Sequence, residues 1–372
     1  MRSLLVTLVV LALLACSAAL LLQDVPAVIW RHVLFSMGVL PLILGAMLYF
    51  IPVLTRTSPA EGAILLVPIG AFLSGVGTVI GFRSAPDLIP FAAGLVLVLV
   101  MLEFAWAWRR RAQVLGSTHP GVGWYLAALV ALMLALSLVV SSVVWPEGWV
   151  MTRAMHLHLN LFGFLGLTAI STLRVLLPTV LGEQDKSAHV FLRRQLPIVV
   201  IGTIAIAIGA AYWPALAVLG ALLWIWSTQS MLRDFWRCKQ SWWSIRGAGI
   251  SLGGAAIGWV LVLCAGIAHG VGVVSADAVM AWLLYLFLLP LVTGASSYLL
   301  PVWRWPGRQS TAHAHMRERL MAFSGARILA FWVSAGLVVT DIPAAPLPAA
   351  LALLSYLLQV LFAFLRVRQS AV

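Results

Sequence analysis

HVLFSMGVLPLILGAMLYFIPVLTR (residues 32–56) and AWLLYLFLLPLVTGASSYLLPVWRW (residues 281–305) are two copies of one pattern, 249 residues apart. Pro41, Gly45, Tyr49 and Pro52 of the first fall on Pro290, Gly294, Tyr298 and Pro301 of the second. A middle copy, HLNLFGFLGLTAISTLRVLLPTVLG (residues 158–182), keeps the leading histidine as His158 and the final proline as Pro178. Each copy is an apolar run of 25 residues, long enough to cross a bilayer. Unpaired backbone groups are costly in hydrocarbon, so a run this uniformly apolar is a helix.

Composition extends that reading to the whole chain. Of 372 residues, 63% are hydrophobic and only 9% charged, a balance no water-soluble domain tolerates. Apolar runs place spans at roughly 3–22, 30–54, 62–82, 86–108, 122–144, 152–180, 194–212, 214–231, 248–270, 276–301, 322–340 and 345–366. The count is twelve, and the spacing of Pro52, Pro178 and Pro301, 126 and then 123 residues, matches a unit of four helices. The expected fold is an all-α integral membrane protein, one polytopic domain over 1–372. Three pseudo-symmetric four-helix repeats are expected at about 1–115, 116–245 and 246–372. The repeated helix is the second of each four.

Charge tests the count independently. Even-numbered connections, both termini and the adjoining helix ends hold 20 of the 23 Lys and Arg residues. Odd connections hold only Arg31, Arg83 and Arg153. That split predicts cytoplasmic N- and C-termini in a bacterial-type inner membrane. The net charge of +12 is then mostly topology. It points to anionic lipid headgroups of the bilayer as the partner of the basic face and to no nucleic acid. Leu13-Leu14-Ala15-Cys16 resembles a lipoprotein cleavage site, but the apolar run continues through Leu22 and reads as an uncleaved first helix. Cys16 and Cys264 are expected in membrane and Cys238 in a cytoplasmic loop, so no disulfide framework is implied.

The candidate chemistry sits on histidines. His119, His189, His313 and His315 fall in the cytoplasmic connections and read as solvated surface. His32, His156, His158 and His269 lie at the outer ends of the second, sixth and ninth helices, where an ionisable side chain is a functional hypothesis. His32 and His158 each stand 20 residues before the terminal proline of equivalent helices, hence at one depth. Two imidazoles so placed can hold a haem iron between them. His156 points roughly 200° away from His158 on a regular helix, so it serves a second centre or hydrogen-bonds within the bundle. The third counterpart of His32 is Ala281, which supplies no ligand. His269 reads as an interfacial histidine beside Gly270 and Gly272, with approach to a metal as the alternative. Arg31 and Arg153 stand beside His32 and three residues before His156, where they either bind haem propionates or anchor the helices at the interface. Trp30 and Trp149 fit an aromatic belt.

His32 to Pro52, with Ser36-Met37-Gly38 and Tyr49-Phe50, resembles a haem-ligating helix of haem-copper oxidase catalytic subunits. Those subunits also have twelve helices in three pseudo-repeats, with low-spin haem near the outer face. His156-Leu157-His158, followed by Leu161-Phe162-Gly163-Phe164 and ending at Pro178, is similar to the NnrS family of haem- and copper-containing membrane proteins linked to nitric-oxide stress. The resemblance implies a haem, b-type, with copper as a second cofactor, and nitric oxide or a redox protein as partner. Two departures limit it. Leu159 stands where NnrS-like chains tend to carry an acid, and residues 194–212 hold no histidine for an oxidase copper site. Dioxygen reduction with proton pumping is therefore not expected. The leading expectation is a haem-binding protein acting in electron transfer, nitrosative stress or haem handling. The alternatives are a small-solute, metal or haem transporter, or a cofactor-free assembly factor.

Overall fold

The structure is a computed structural model that describes residues 1–22, 24–182, 187–237, 247–305, 307–340 and 342–367, without the side chains at 234, 235, 237 and 365–367. Lys186, Cys238, Lys239, Arg246, Arg368 and the expected repeat boundary at 245/246 lie outside the described residues, as do the Arg237 and Arg366 side chains.

Twelve helices are long and apolar enough to cross a membrane. They are α1 (Arg2–Leu21), α2 (Ala27–Thr55), α3 (Gly62–Ser84), α4 (Leu88–Ala112), α5 (Gly121–Ser141), α6 (Pro146–Leu181), α7 (Ala188–Tyr212), α8 (Pro214–Arg233), α9 (Ala248–Gly270), α10 (Ala276–Arg304), α11 (Thr311–Val339) and α12 (Pro346–Phe364). No strand occurs among the described residues. The expected count stands, and the ends that differ most are those of α6, α7 and α11. Helix α11 begins at Thr311 because a further helical segment precedes the expected span and is broken from it at Ala322 and Phe323, where Phe323 takes φ +62°.

Packing closes the repeats into a ring. Helix α1 touches its own α2 and also α10, α5 touches its own α6 and also α2, and α9 touches its own α10 and also α6. The inner circle therefore alternates first and second helices of the three units. Outside it, α4 packs on α5, α8 on α9 and α12 on α1, so the last helix of each unit seals against the first helix of the next. This cyclic pattern is the pseudo-threefold symmetry expected from the proline spacing.

The repeated proline has a common structural role. Each second helix ends three residues after it, and the capping N–H of the next residue, Arg56, Gly182 or Trp305, donates to the carbonyl of Pro52, Pro178 or Pro301. Arg56 and Gly182 adopt left-handed conformations there, φ 54° and 73°, which turn the chain out of the helix. A second shared feature was not expected: each of these helices contains a π-helical stretch, Val33–Val39, Leu159–Gly166 and Leu283–Leu288. A π turn carries one more residue than an α turn and pushes backbone outward, and such turns concentrate at functional sites. The bulges meet glycines: a Cβ on Gly75 of α3 would lie 2.5 Å from the Ser36 carbonyl oxygen, and one on Gly258 of α9 would collide with the Leu286 carbonyl. The residues just before the three stretches are His32, His158 and Trp282.

Candidate functional site

One end of the bundle gathers four histidines: the starts of α2 and α6 and the end of α9. Each ring is oriented through Nδ1. His32 Nδ1 lies 2.7 Å from the Val28 carbonyl and His158 Nδ1 2.7 Å from that of Ala154, the same i−4 contact in two repeats. His156 Nδ1 reaches across to the Ala135 carbonyl of α5 at 2.8 Å. His269 Nδ1 lies 2.9 Å from the Val274 carbonyl in the turn after α9. A carbonyl only accepts, so each Nδ1 is the donor and carries the proton. In the neutral ring Nε2 is then left with its lone pair. Asn160 holds the His156 carbonyl through Nδ2 at 2.8 Å, and the same atom lies 3.4 Å from both ring nitrogens of His156.

The ring faces are packed as well. His32 sits 4.6 Å from Phe82 of α3, ring centroid to centroid, and His158 stacks on Phe162 at 6.1 Å with an interplanar angle of 10°. Phe162 continues to Trp259 at 5.7 Å, and Trp259 to Phe287 at 4.6 Å, so aromatic rings back His158 from α9 and α10. Repeat symmetry pairs His32 with His158 in depth. His156 instead faces α5, which packs between α2 and α6.

Arg31 is in an ion pair with Asp277 at the start of α10, and its guanidinium lies 5.3 Å from the Trp30 ring. The pair ties the first and third repeats together beside His32. Arg153 is exposed on the first turns of α6. Among the described residues no group of three or more His, Cys, Asp or Glu side chains could hold a metal ion by itself. A haem needs only axial donors, and the unbonded Nε2 atoms of His32, His158 and His269 fit that requirement.

Two residues of the site are not visible in the sequence pattern. Asp277 shows there only as one of few acids, and Phe82 looks like an ordinary apolar position. At the opposite end His189 and His315 are exposed as expected, whereas His313 and His119 differ from expectation. His313 is 2% exposed: Nε2 donates to the Trp305 carbonyl at 2.6 Å, and Nδ1 accepts the Ser310 N–H at 3.1 Å. It closes the turn into the extra helical segment instead of facing solvent. His119 is half-buried, accepts the Gly121 N–H at 3.1 Å through Nδ1, and lies 6.2 Å from His189, ring to ring. Burial first, and the neighbouring His189 second, lower its pKa. Arg174 and Arg327, expected near helix ends, are fully buried: Arg174 Nη2 donates to Ser187 Oγ at 2.6 Å, and Arg327 Nη1 to Gln359 Oε1 at 3.0 Å over the Tyr356 ring.

No protein-family model matches this chain, and no curated protein is similar to it at a significant level.

Proposed function

We propose that this is a haem-binding protein of a bacterial-type inner membrane, with both termini cytoplasmic and the four-histidine end facing out. The carrying observation is that all four histidines commit Nδ1 to a main-chain carbonyl. That outer-sphere bond fixes the tautomer and aims Nε2 as a donor, as in metal-ligating histidines generally. The 20-to-3 division of basic residues supports the orientation. The Nε2 atoms of His32 and His158, at one depth in equivalent helices, would hold the iron of a haem, with His269 as a further donor nearby. A b-type haem with two imidazole ligands supplies one-electron redox chemistry without an open coordination position. The residues around it hold the rings, exclude water with Phe82 and Phe162, and bring Arg31 and Arg153 within the same layer as donors for carboxylates. Electron transfer fits this arrangement best. Nitric-oxide binding or turnover, with copper or a second haem, would require a centre held by a single histidine.

The test is the reduced-minus-oxidised spectrum of the purified protein with iron and copper analysis. A sharp reduced alpha band is expected, lost or shifted in His32→Ala and His158→Ala. The effects of His156→Ala and His269→Ala show which histidines form a set. A colourless, metal-free preparation from haem-replete cells refutes the reading. Carbon monoxide or nitric oxide difference spectra report an open position.

A further inference from the structure

On the pseudo-threefold axis, between the second helices of the three repeats, lies a cavity of about 110 Å³. The helices contribute the same registers to it. Val39, Leu165 and Leu288 form one row, and Ala46, Thr172 and Ala295 another, each related by the 126- and 249-residue offsets that align Pro52, Pro178 and Pro301. The intervening rows 42/168/291 and 43/169/292 obey the same offsets. A chance packing fault would not recur at four equivalent levels of three helices. The void is a product of the repeat itself.

Its chemistry follows from how its hydroxyls are used. Thr168 Oγ1 donates to the Phe164 carbonyl at 2.7 Å and Thr172 Oγ1 to the Thr168 carbonyl at 2.7 Å, so both turn their protons back into the helix. Ser296 Oγ is likewise bonded, to the Val292 carbonyl and to the Tyr356 hydroxyl at 2.7 Å. The Tyr125 hydroxyl is bonded to Thr172 Oγ1 at 3.1 Å, and what remains of the lining is hydrocarbon apart from the buried Trp303 Nε1–H, which has no hydrogen-bond partner. A water molecule needs two to four polar partners and finds at most that one, whereas an apolar cavity of roughly 150 Å³ accepts benzene or xenon. The first row lies seven residues inward of His32 and of His158, across the π-helical stretches.

We infer that the axial cavity is a binding site for a small uncharged apolar molecule, a diatomic gas or a hydrocarbon of up to about four heavy atoms by comparison with the benzene-sized case. The site does not require haem. Its position directly inside the histidine layer makes it a holding place for a gas that meets that layer, and this role alone rests on the proposed function.

Xenon is the probe, used on the full chain by pressurised crystals and by 129Xe NMR in detergent. One xenon on the axis among the Val39 and Ala46 rows is expected. Ala169→Leu with Ala295→Leu should fill the void and weaken xenon binding at least ten-fold while the visible spectrum stays unchanged. Ala46→Leu, on a different helix, serves if that pair does not fold. Absence of axial xenon in the native protein overturns the inference, as does ordered water or a lipid acyl chain in the cavity. Undiminished binding in the filled variants also overturns it. A colourless protein that binds xenon would refute the haem reading and leave the cavity assignment standing.

Discussion

Gly75→Ala should destabilise the protein and disturb His32, although it adds a single methyl group. The new Cβ would lie 2.5 Å from the Ser36 carbonyl oxygen, 2.7 Å from its carbon and 3.1 Å from Met37 Cγ. The first two atoms are backbone of the π-helical stretch, so no rotamer change relieves the contact. Overpacking of this kind costs about 1–3 kcal/mol. Replacing glycine by alanine inside a helix returns up to about 1 kcal/mol. The net expectation is a loss of about 1–2 kcal/mol, read as a drop of several degrees in the apparent Tm of the solubilised protein. Gly77, two residues along the same helix, is the control: its Cβ would meet only the Ala92 Cβ, at 3.9 Å. Gly77→Ala should therefore be neutral or stabilising. Because Ser36 Oγ donates to the His32 carbonyl, the strain in Gly75→Ala reaches the turn that carries His32. If a haem is bound there, its low-spin EPR g-values should move in Gly75→Ala and not in Gly77→Ala. Equal Tm values for the two variants would refute the close approach and the π-helical geometry on which it depends.

Removing the clip between repeats should cost little by itself: Arg31→Gln and Asp277→Asn each lower stability by about 0.2–1 kcal/mol, as for a partly exposed pair. A double-mutant cycle in thermal unfolding should return a coupling of that size, and zero coupling would show that the pair is not made. His119 gives a pH dependence. Its folded pKa lies below its unfolded value of about 6.5, so the unfolded chain binds more protons in the window beneath that value, and stability is complete above it and falls as pH drops through it. His119→Asn should flatten the acid side of a Tm-against-pH curve measured between pH 7.5 and 5, and an unchanged slope would assign that loss to other groups.

Most of the architecture was legible because it is written in features that act locally. Hydrophobic length marks a span without reference to its neighbours, and a proline four residues before a helix cap leaves the same trace wherever it occurs. Pro52, Pro178 and Pro301 therefore fixed both the repeat length and the helix ends. The π-helical stretches were not legible. Val33–Val39 and Leu283–Leu288 are apolar runs with no breaker, and their extra residue is accommodated by a carbonyl settling against Gly75 or Gly258 on another helix. A contact between segments distant in sequence leaves no periodicity to read. The extra segment at the start of α11 was hidden for a related reason: its polar sequence, TAHAHMRER (residues 311–319), gives no membrane signal, and its start depends on His313 and Ser310 closing a turn against Trp305.

The same distinction explains why the histidines could be found and their partners could not. Depth along a helix follows from counting residues, so His32 and His158 align from sequence alone. Azimuth around the bundle depends on which helix lies next to which, and the contact of α5 with α6 turns His156 onto the Ala135 carbonyl. The third repeat completes the reasoning. Trp282 stands where His32 and His158 stand relative to the π turn, and its Nε1 donates to the Ala335 carbonyl of α11 at 3.1 Å. A position that in two repeats presents a free ring nitrogen here ties two helices together. Five residues earlier Asp277 pairs with Arg31 across the repeat boundary. The second helix of the third unit thus braces the layer that the second helices of the first two supply with donors.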